Sequence, residues 1–194
     1  MTKIIGLTGG IGSGKTTIAN YFHSLGIPVY IADTESKKIT DNPGIVQKIQ
    51  QTFGNDIFDG TVLNRGKLAD LVFNNPAKLK QLNAIIHPVV KEHFQSWLTQ
   101  HCKYPLIIKE AAILFESGSY KDCDKIITVT APIETRIKRV LSRDKASREV
   151  VLDRINNQWT DEQRIEKSDF VINNTNLENA KLQADEILKK LTIH

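Results

Sequence analysis

Gly9-Gly10-Ile11-Gly12-Ser13-Gly14-Lys15-Thr16-Thr17 is the stretch that decides the fold. It meets every position of the G-x-x-x-x-G-K-[ST] phosphate-loop pattern, and its flanks are the ones the mechanism needs. Lys3-Ile4-Ile5-Gly6-Leu7-Thr8 before it is a short apolar run of strand type, and Thr17-Ile18-Ala19-Asn20-Tyr21-Phe22 after it has the spacing of an amphipathic helix. A strand, a glycine loop and a helix N-terminus in that order make an anion cradle. Backbone N–H groups and the positive end of the helix dipole point at a polyphosphate. Gly12, Ser13, Gly14, Lys15, Thr16 and Thr17 are therefore the expected nucleotide contacts. Lys15 is expected to reach the β- and γ-phosphates and the Thr16 hydroxyl to ligate Mg²⁺, a hard cation that prefers oxygen.

Working outward, further strand-like runs occur at 27–31, 105–110, 125–130 and 169–173. They are short and β-branched, as strands buried on both faces tend to be. Helical segments separate them. This alternation predicts an α/β fold, a doubly wound, mostly parallel five-stranded sheet of P-loop NTPase type. Residues 34–104 interrupt it and hold no convincing strand. There Leu79, Leu82, Ile86, Val89, Phe94 and Trp97 mark a long amphipathic helix that Pro88 is expected to bend. The predicted organisation is a nucleotide-binding core from 1–33, 105–142 and 168–194, an α-helical insertion at 34–104, and a mobile helical lid at 143–167. Ala180, Ala184, Ile187, Leu188 and Leu191 fall on one face of a closing helix over 176–192.

Composition narrows the class. The 194 residues are 40% hydrophobic and 25% charged with a net charge of +4, ordinary for a globular protein and suited to an anionic small molecule. The two cysteines, Cys102 and Cys123, form no metal-type cluster and fit free thiols in a reducing cytoplasm. No apolar run approaches the roughly 18 residues of a membrane span, and the immediate entry into a strand predicts no cleaved leader. A cytoplasmic protein acting on small molecules is expected, with neither membrane nor nucleic acid as partner. Nothing in the sequence fixes an oligomeric state.

Several side chains beyond the loop carry candidate chemistry. Asp33 follows the second strand, where ligands bind in open α/β sheets. It can accept a proton from an attacking hydroxyl, touch Mg²⁺ through water, or simply cap the following helix. Arg136, Arg139 and Arg143 share one helical face, in a stretch from Pro132 to Arg148 with six basic residues against two acids. Such a face suits the charge spread over a moving phosphoryl group, and the alternative is a solvated face paired with Glu134 and Asp144. Glu110, ending the third strand, stands where phosphate-loop proteins often carry a metal-orienting acid, or is a solvated strand end. Arg65 opens a helix and can meet an anion or make a surface ion pair. His87, before Pro88, is a ligand contact or a core residue. An Asn-Lys-x-Asp guanine-reading motif is absent, which argues against a GTPase-type switch, and no aromatic stripe of nucleic-acid type exists. A nucleoside or nucleotide kinase shares the loop and the arginines.

Together these motifs resemble the dephospho-CoA kinase family over nearly the whole chain. The resemblance is carried by Gly6-Leu7-Thr8-Gly9-Gly10-Ile11-Gly12-Ser13-Gly14-Lys15, Ala32-Asp33, Leu63-Asn64-Arg65, His87-Pro88, Leu114-Phe115-Glu116, Lys138-Arg139, Arg143-Asp144, Gln158 and Val171-Ile172-Asn173-Asn174, in the family's order. It implies ATP-dependent phosphorylation of the ribose 3′-hydroxyl of dephospho-coenzyme A to coenzyme A, the last step of coenzyme A biosynthesis, with Mg²⁺. It further implies Asp33 as base, Lys15 and Arg139 as stabilisers of the transferring group, Arg65 and His87 near the acceptor, Arg143 in the lid, and Asn174 near the adenine. Two positions depart from the family pattern. Ile31 stands where the family has the first Asp of Asp-Ala-Asp, and Glu110-Ala111-Ala112 replaces Asp-x-Pro.

Overall fold

The computed structural model describes residues 2–73, 75–144 and 146–192. Lys145, part of the basic stretch, lies outside them. In chain order the elements are β1 (Lys3–Thr8), α1 (Lys15–Ser24), β2 (Val29–Ile31), α2 (Ala32–Thr40), α3 (Pro43–Phe53), β3 (Phe58–Asp59), β4 (Val62–Leu63), α4 (Arg65–Phe73) and α5 (Pro76–Gln100). Then follow β5 (Leu106–Glu110), β6 (Lys125–Thr130), α6 (Ile133–Arg143), α7 (Arg148–Asn156), α8 (Asp161–Glu166), β7 (Phe170–Asn173) and α9 (Leu177–Thr192). The chain divides into two compact units. One runs up to Ile31 and resumes at His101, and the other is Ala32–Gln100.

The first unit holds a five-stranded sheet in the order β2-β5-β1-β6-β7, every pairing parallel. All five strands lie within the stretches expected from sequence. The central strands are buried on both faces, and all five residues of β5 are buried, from apolar Leu106, Ile107 and Ile108 to the charged Lys109 and Glu110 at its end. Ile5, Leu7, Ile108, Ile127, Val129 and Ile172 meet Ile18, Ala19 and Phe22 of α1 and Ala180, Ala184, Ile187 and Leu191 of α9 in one core. Because β1 is flanked by β5 and β6, the loop after it opens inside the sheet, not at its edge. The β1–β5 register sets Glu110 opposite Leu7, just short of that loop.

Residues 143–167 are helical as expected, in two short capped helices. Ser147 accepts from the Val150 amide at the start of α7, and Thr160 and Gln163 form a reciprocal capping box on α8. Their inner faces are not loose. Val151 is buried with Ile137 and Val140 of α6, in a small core that also takes in Ile11 of the phosphate loop.

The second unit, described by itself, packs α2–α5 around Ile39, Ile45, Ile49, Leu68, Val72 and Leu82. One expectation is corrected here. This segment does contain strands, a two-stranded antiparallel hairpin pairing Phe58 with Leu63 and Asp59 with Val62. Each strand is two residues long, too short for alternation to show, and the turn is made by Gly60 at φ 63°. The long helix is also confirmed as α5, running unbroken through Pro88. Its buried stripe starts at Leu82, because Leu79 is exposed.

Candidate active site

The loop's glycines answer to their surroundings as well as to the phosphate pattern. Gly12 and Gly14 sit at φ 78° and 87°, the left-handed region that L side chains avoid. A Cβ on Gly14 would fall 2.1 Å from the side-chain nitrogen of Asn174. Gly14 caps α1 without any side-chain hydrogen bond, and the first turn holds no acidic residue. The first helical bond runs from the Ile18 amide to the Gly14 carbonyl. The amides of Lys15, Thr16 and Thr17 before it therefore point out of the helix end, and the side chains of Thr16 and Thr17 are exposed beside them. Thr8 and Ser13 are fully buried beneath the loop, and among the described residues neither hydroxyl finds a hydrogen-bond partner.

Lys15 turns across the mouth of the loop to Glu110, Nζ to Oε1 at 3.1 Å. Glu110 is 1% exposed, a carboxylate fixed at the end of β5. With the Thr16 hydroxyl it offers oxygen ligands of the kind Mg²⁺ takes. No group of three or more His, Cys, Asp or Glu side chains forms a metal cage among the described residues.

The three arginines of α6 diverge. Arg136 is buried, donates from Nε to the Ile11 carbonyl at 2.9 Å, and pairs with Asp161 at 3.2 Å. Arg139 donates to the Asn174 carbonyl at 2.8 Å and to the Ser13 carbonyl at 3.4 Å. Arg143 faces outward and pairs with its neighbour Asp144, whose hydrogen bonds raise the guanidinium's pKa while its own carboxyl is lowered. Asn174 is 3% exposed, and its side-chain amide donates to the Ser13 carbonyl at 2.8 Å. Arg139 and Asn174 thus converge on the same loop carbonyl from two elements.

Residues without an assigned role complete the nucleotide side. Gln158 accepts from the Ile11 amide at 2.9 Å. Trp159 stacks flat on Phe115, centroids 5.4 Å apart and planes within 4°. Glu116 accepts from the Trp159 amide and from Arg164, both at 3.2 Å. Arg164 is fully buried; burial lowers its pKa, while Glu116 and Asp161 pull the other way. The family motif Leu114-Phe115-Glu116 therefore meets Trp159, the residue after Gln158. Arg164 had no sequence signal, because an Arg in a charged helix reads as solvated.

Within the inserted unit, Asp33 lies in the first turn of α2, directly after β2, and is exposed. It stands inside the helix, not at its cap. Arg65 donates to the Lys37 carbonyl at 2.7 Å and to Asp41 at 2.6 Å, a surface ion pair. His87 is exposed at mid-α5, so the core alternative for it falls away.

The chain's relatives agree with this geometry. A sequence profile described as dephospho-CoA kinase matches residues 3–179. A dephospho-CoA kinase of Bacteroides fragilis is 42% identical over 171 residues, covering 88% of this chain and 83% of the relative. Among solved structures, TT1252 from Thermus thermophilus superposes with a TM-score of 0.91 at 34% identity, over 98% of both chains. A dephospho-CoA kinase from Campylobacter jejuni superposes at 0.71 and 28% identity, over 99% of this chain and 98% of the other. With the profile spanning most of its length and its phosphate loop at the centre of a parallel sheet, this chain belongs to the dephospho-CoA kinase family.

Proposed function

We propose that the chain transfers the γ-phosphoryl group of ATP to the ribose 3′-hydroxyl of dephospho-CoA, giving coenzyme A and ADP. The observation that carries this reading is the family match over residues 3–179 on a loop whose amides face out of a helix end. Asp33 takes the proton of the 3′-hydroxyl as its oxygen forms a bond to the γ-phosphorus. The bond from that phosphorus to the bridging oxygen breaks, and ADP leaves with the electron pair. Lys15 exchanges Glu110 for the β- and γ-phosphates, and Arg139 balances charge on the transferring group. Thr16 and Glu110 would hold Mg²⁺, which neutralises phosphate charge when bound. Arg65 and His87 contact the acceptor. Asn174 serves through Ser13, and residues 143–167 with Arg143 cover the nucleotide. Catalysis of this kind is mostly positioning and electrostatics, which suits a site of buried struts around exposed amides.

The test is ADP release from ATP and Mg²⁺ with dephospho-CoA, adenosine, nucleoside monophosphates or pantothenate as acceptor. Dephospho-CoA is expected to give turnover and the others only background. ADP release with a nucleoside or nucleotide and none with dephospho-CoA would replace this reading with a nucleoside or nucleotide kinase.

A further inference from the structure

The phosphate-loop pattern asks for glycine only at Gly9 and Gly14, yet Gly10 and Gly12 are glycines too. Both stand against one residue. A Cβ on Gly10 would fall 2.1 Å from an Arg136 guanidinium nitrogen, and a Cβ on Gly12 2.4 Å from the Arg136 backbone carbonyl. Between these glycines sits Ile11, gripped three ways. Its amide donates to Gln158, its carbonyl accepts from Arg136, and its side chain packs with Ile137, Val140 and Val151. The grip continues through buried charges, since Arg136 pairs with Asp161, and Asp161 also meets Arg164 at 3.5 Å. Arg164, with no exposed surface, is bound to Glu116.

We propose that Gln158 and Arg136 are positioning residues that hold Ile11, and so set the phosphate loop in its nucleotide-binding shape from the α6–α8 side. The inference rests on the reading that the loop binds ATP, and on nothing about the acceptor. The backbone of a loop residue normally satisfies itself in turns or water. Here both polar groups of Ile11 are met by side chains more than 120 residues away in sequence, which fixes the loop tip against rotation. Because amides only a few residues further on must converge on phosphate oxygens, a tilt at Ile11 misdirects them all. Neither positioning residue needs to touch the nucleotide to govern its affinity.

The experiment compares Gln158→Met, which keeps length and loses the acceptor, with Gln158→Glu, which keeps an acceptor oxygen. ATP binding is measured by calorimetry without acceptor, alongside KM for each substrate, kcat and Tm. Gln158→Met is expected to weaken ATP binding roughly tenfold, the scale of one buried amide losing its acceptor, with KM for dephospho-CoA unchanged. Gln158→Glu is expected to recover most of that loss. Unchanged ATP affinity in Gln158→Met, or equal losses in both variants, overturns the proposal. Should Gln158→Met not fold, Asp161→Asn decides. It removes the charge that pairs with Arg136 and, more distantly, with Arg164 of the same network, and weakened ATP binding supports the proposal while unchanged binding refutes it. Since binding is read without acceptor, a parent protein that binds ATP and ignores dephospho-CoA would sink the functional reading and leave this test intact.

Discussion

The nucleotide unit and the inserted unit place their candidate residues in opposite environments. Around the phosphate loop four polar side chains are buried and held by partners, Arg136 at 6% exposure, Glu110 at 1%, Asn174 at 3% and Arg164 at none, while Thr16, Thr17 and Arg143 face outward. In the inserted unit Asp33 and His87 are exposed on helices, and Arg65 shares a surface ion pair. The two tasks proposed for these residues account for the difference. A triphosphate is recognised by backbone amides, which must be aimed before it arrives, and only rigid buried contacts aim a glycine loop. An acceptor is recognised by side chains that reach out from a helical scaffold, and burying them in the free protein would gain nothing. Changes on the nucleotide side should therefore affect folding, ATP affinity and turnover together. Changes on the inserted side should separate function from stability.

The largest effect is expected at Lys15. Lys15→Met removes the charge proposed to meet the phosphates and should lower turnover by roughly 10³-fold. It also takes a cation from a buried carboxylate, which costs several kcal/mol, of order 3–5. Adding Glu110→Gln should restore much of the Tm while turnover stays lost, as thermal melts and steady-state kinetics on the double variant would reveal. Recovery of activity in the double variant would mean that Lys15 serves the fold alone. Asp33→Asn comes next and breaks the comparison from the other side. Its kcat should fall by at least ~10²-fold, with Tm and ATP affinity near the parent's because Asp33 is exposed. Normal turnover would leave Asp33 as no more than an acid stabilising the α2 N-terminus. Arg139→Lys is expected to cost about tenfold in kcat/KM for ATP. Lysine cannot bridge the Ser13 and Asn174 carbonyls as a planar guanidinium does. Kinetics matching the parent would show that any cation suffices there.

How much of the molecule is legible in its sequence follows the same division. All five sheet strands can be read because buried parallel strands announce themselves as apolar runs. β5 and β7 each start one residue inside their runs, and the second is the shortest against its own: β2 begins at Val29, although the Pro28 carbonyl before it still accepts from Ile108. The β3–β4 hairpin is illegible because two residues carry no period. The arginine face is half legible. Helical spacing puts Arg136, Arg139 and Arg143 together, but spacing cannot tell that Asp144 draws Arg143 outward while Ile11 draws Arg136 in. Glu116 and Arg164 are beyond reach for another reason. Their pairing joins residues 48 apart in the chain, and a single sequence holds no trace of such a contact. Gly10 and Gly12 are visible as excess glycines, yet their cause lies in α6.

The smallest effect, and the sharpest probe of the contrast, is at Arg65. Its partners are the Asp41 carboxylate and the Lys37 carbonyl, with the Arg65 side chain 43% and Asp41 70% exposed. An exposed pair contributes roughly 0–1 kcal/mol, so Arg65→Ala should leave Tm almost unchanged, with thermal melts as the check. If Arg65 meets the acceptor, KM for dephospho-CoA should rise severalfold, roughly in line with one lost charged hydrogen bond, while KM for ATP stays put. Asp41→Ala serves as the control, because it breaks the same ion pair and leaves the guanidinium available. Its KM for dephospho-CoA should stay at or below the parent's. Should both variants raise that KM equally, the ion pair itself would be what matters, holding α2 and α4 together as scaffold. Arg65 would then belong with the buried struts of the nucleotide unit in kind, and the division between aimed loop and reaching side chains would no longer hold.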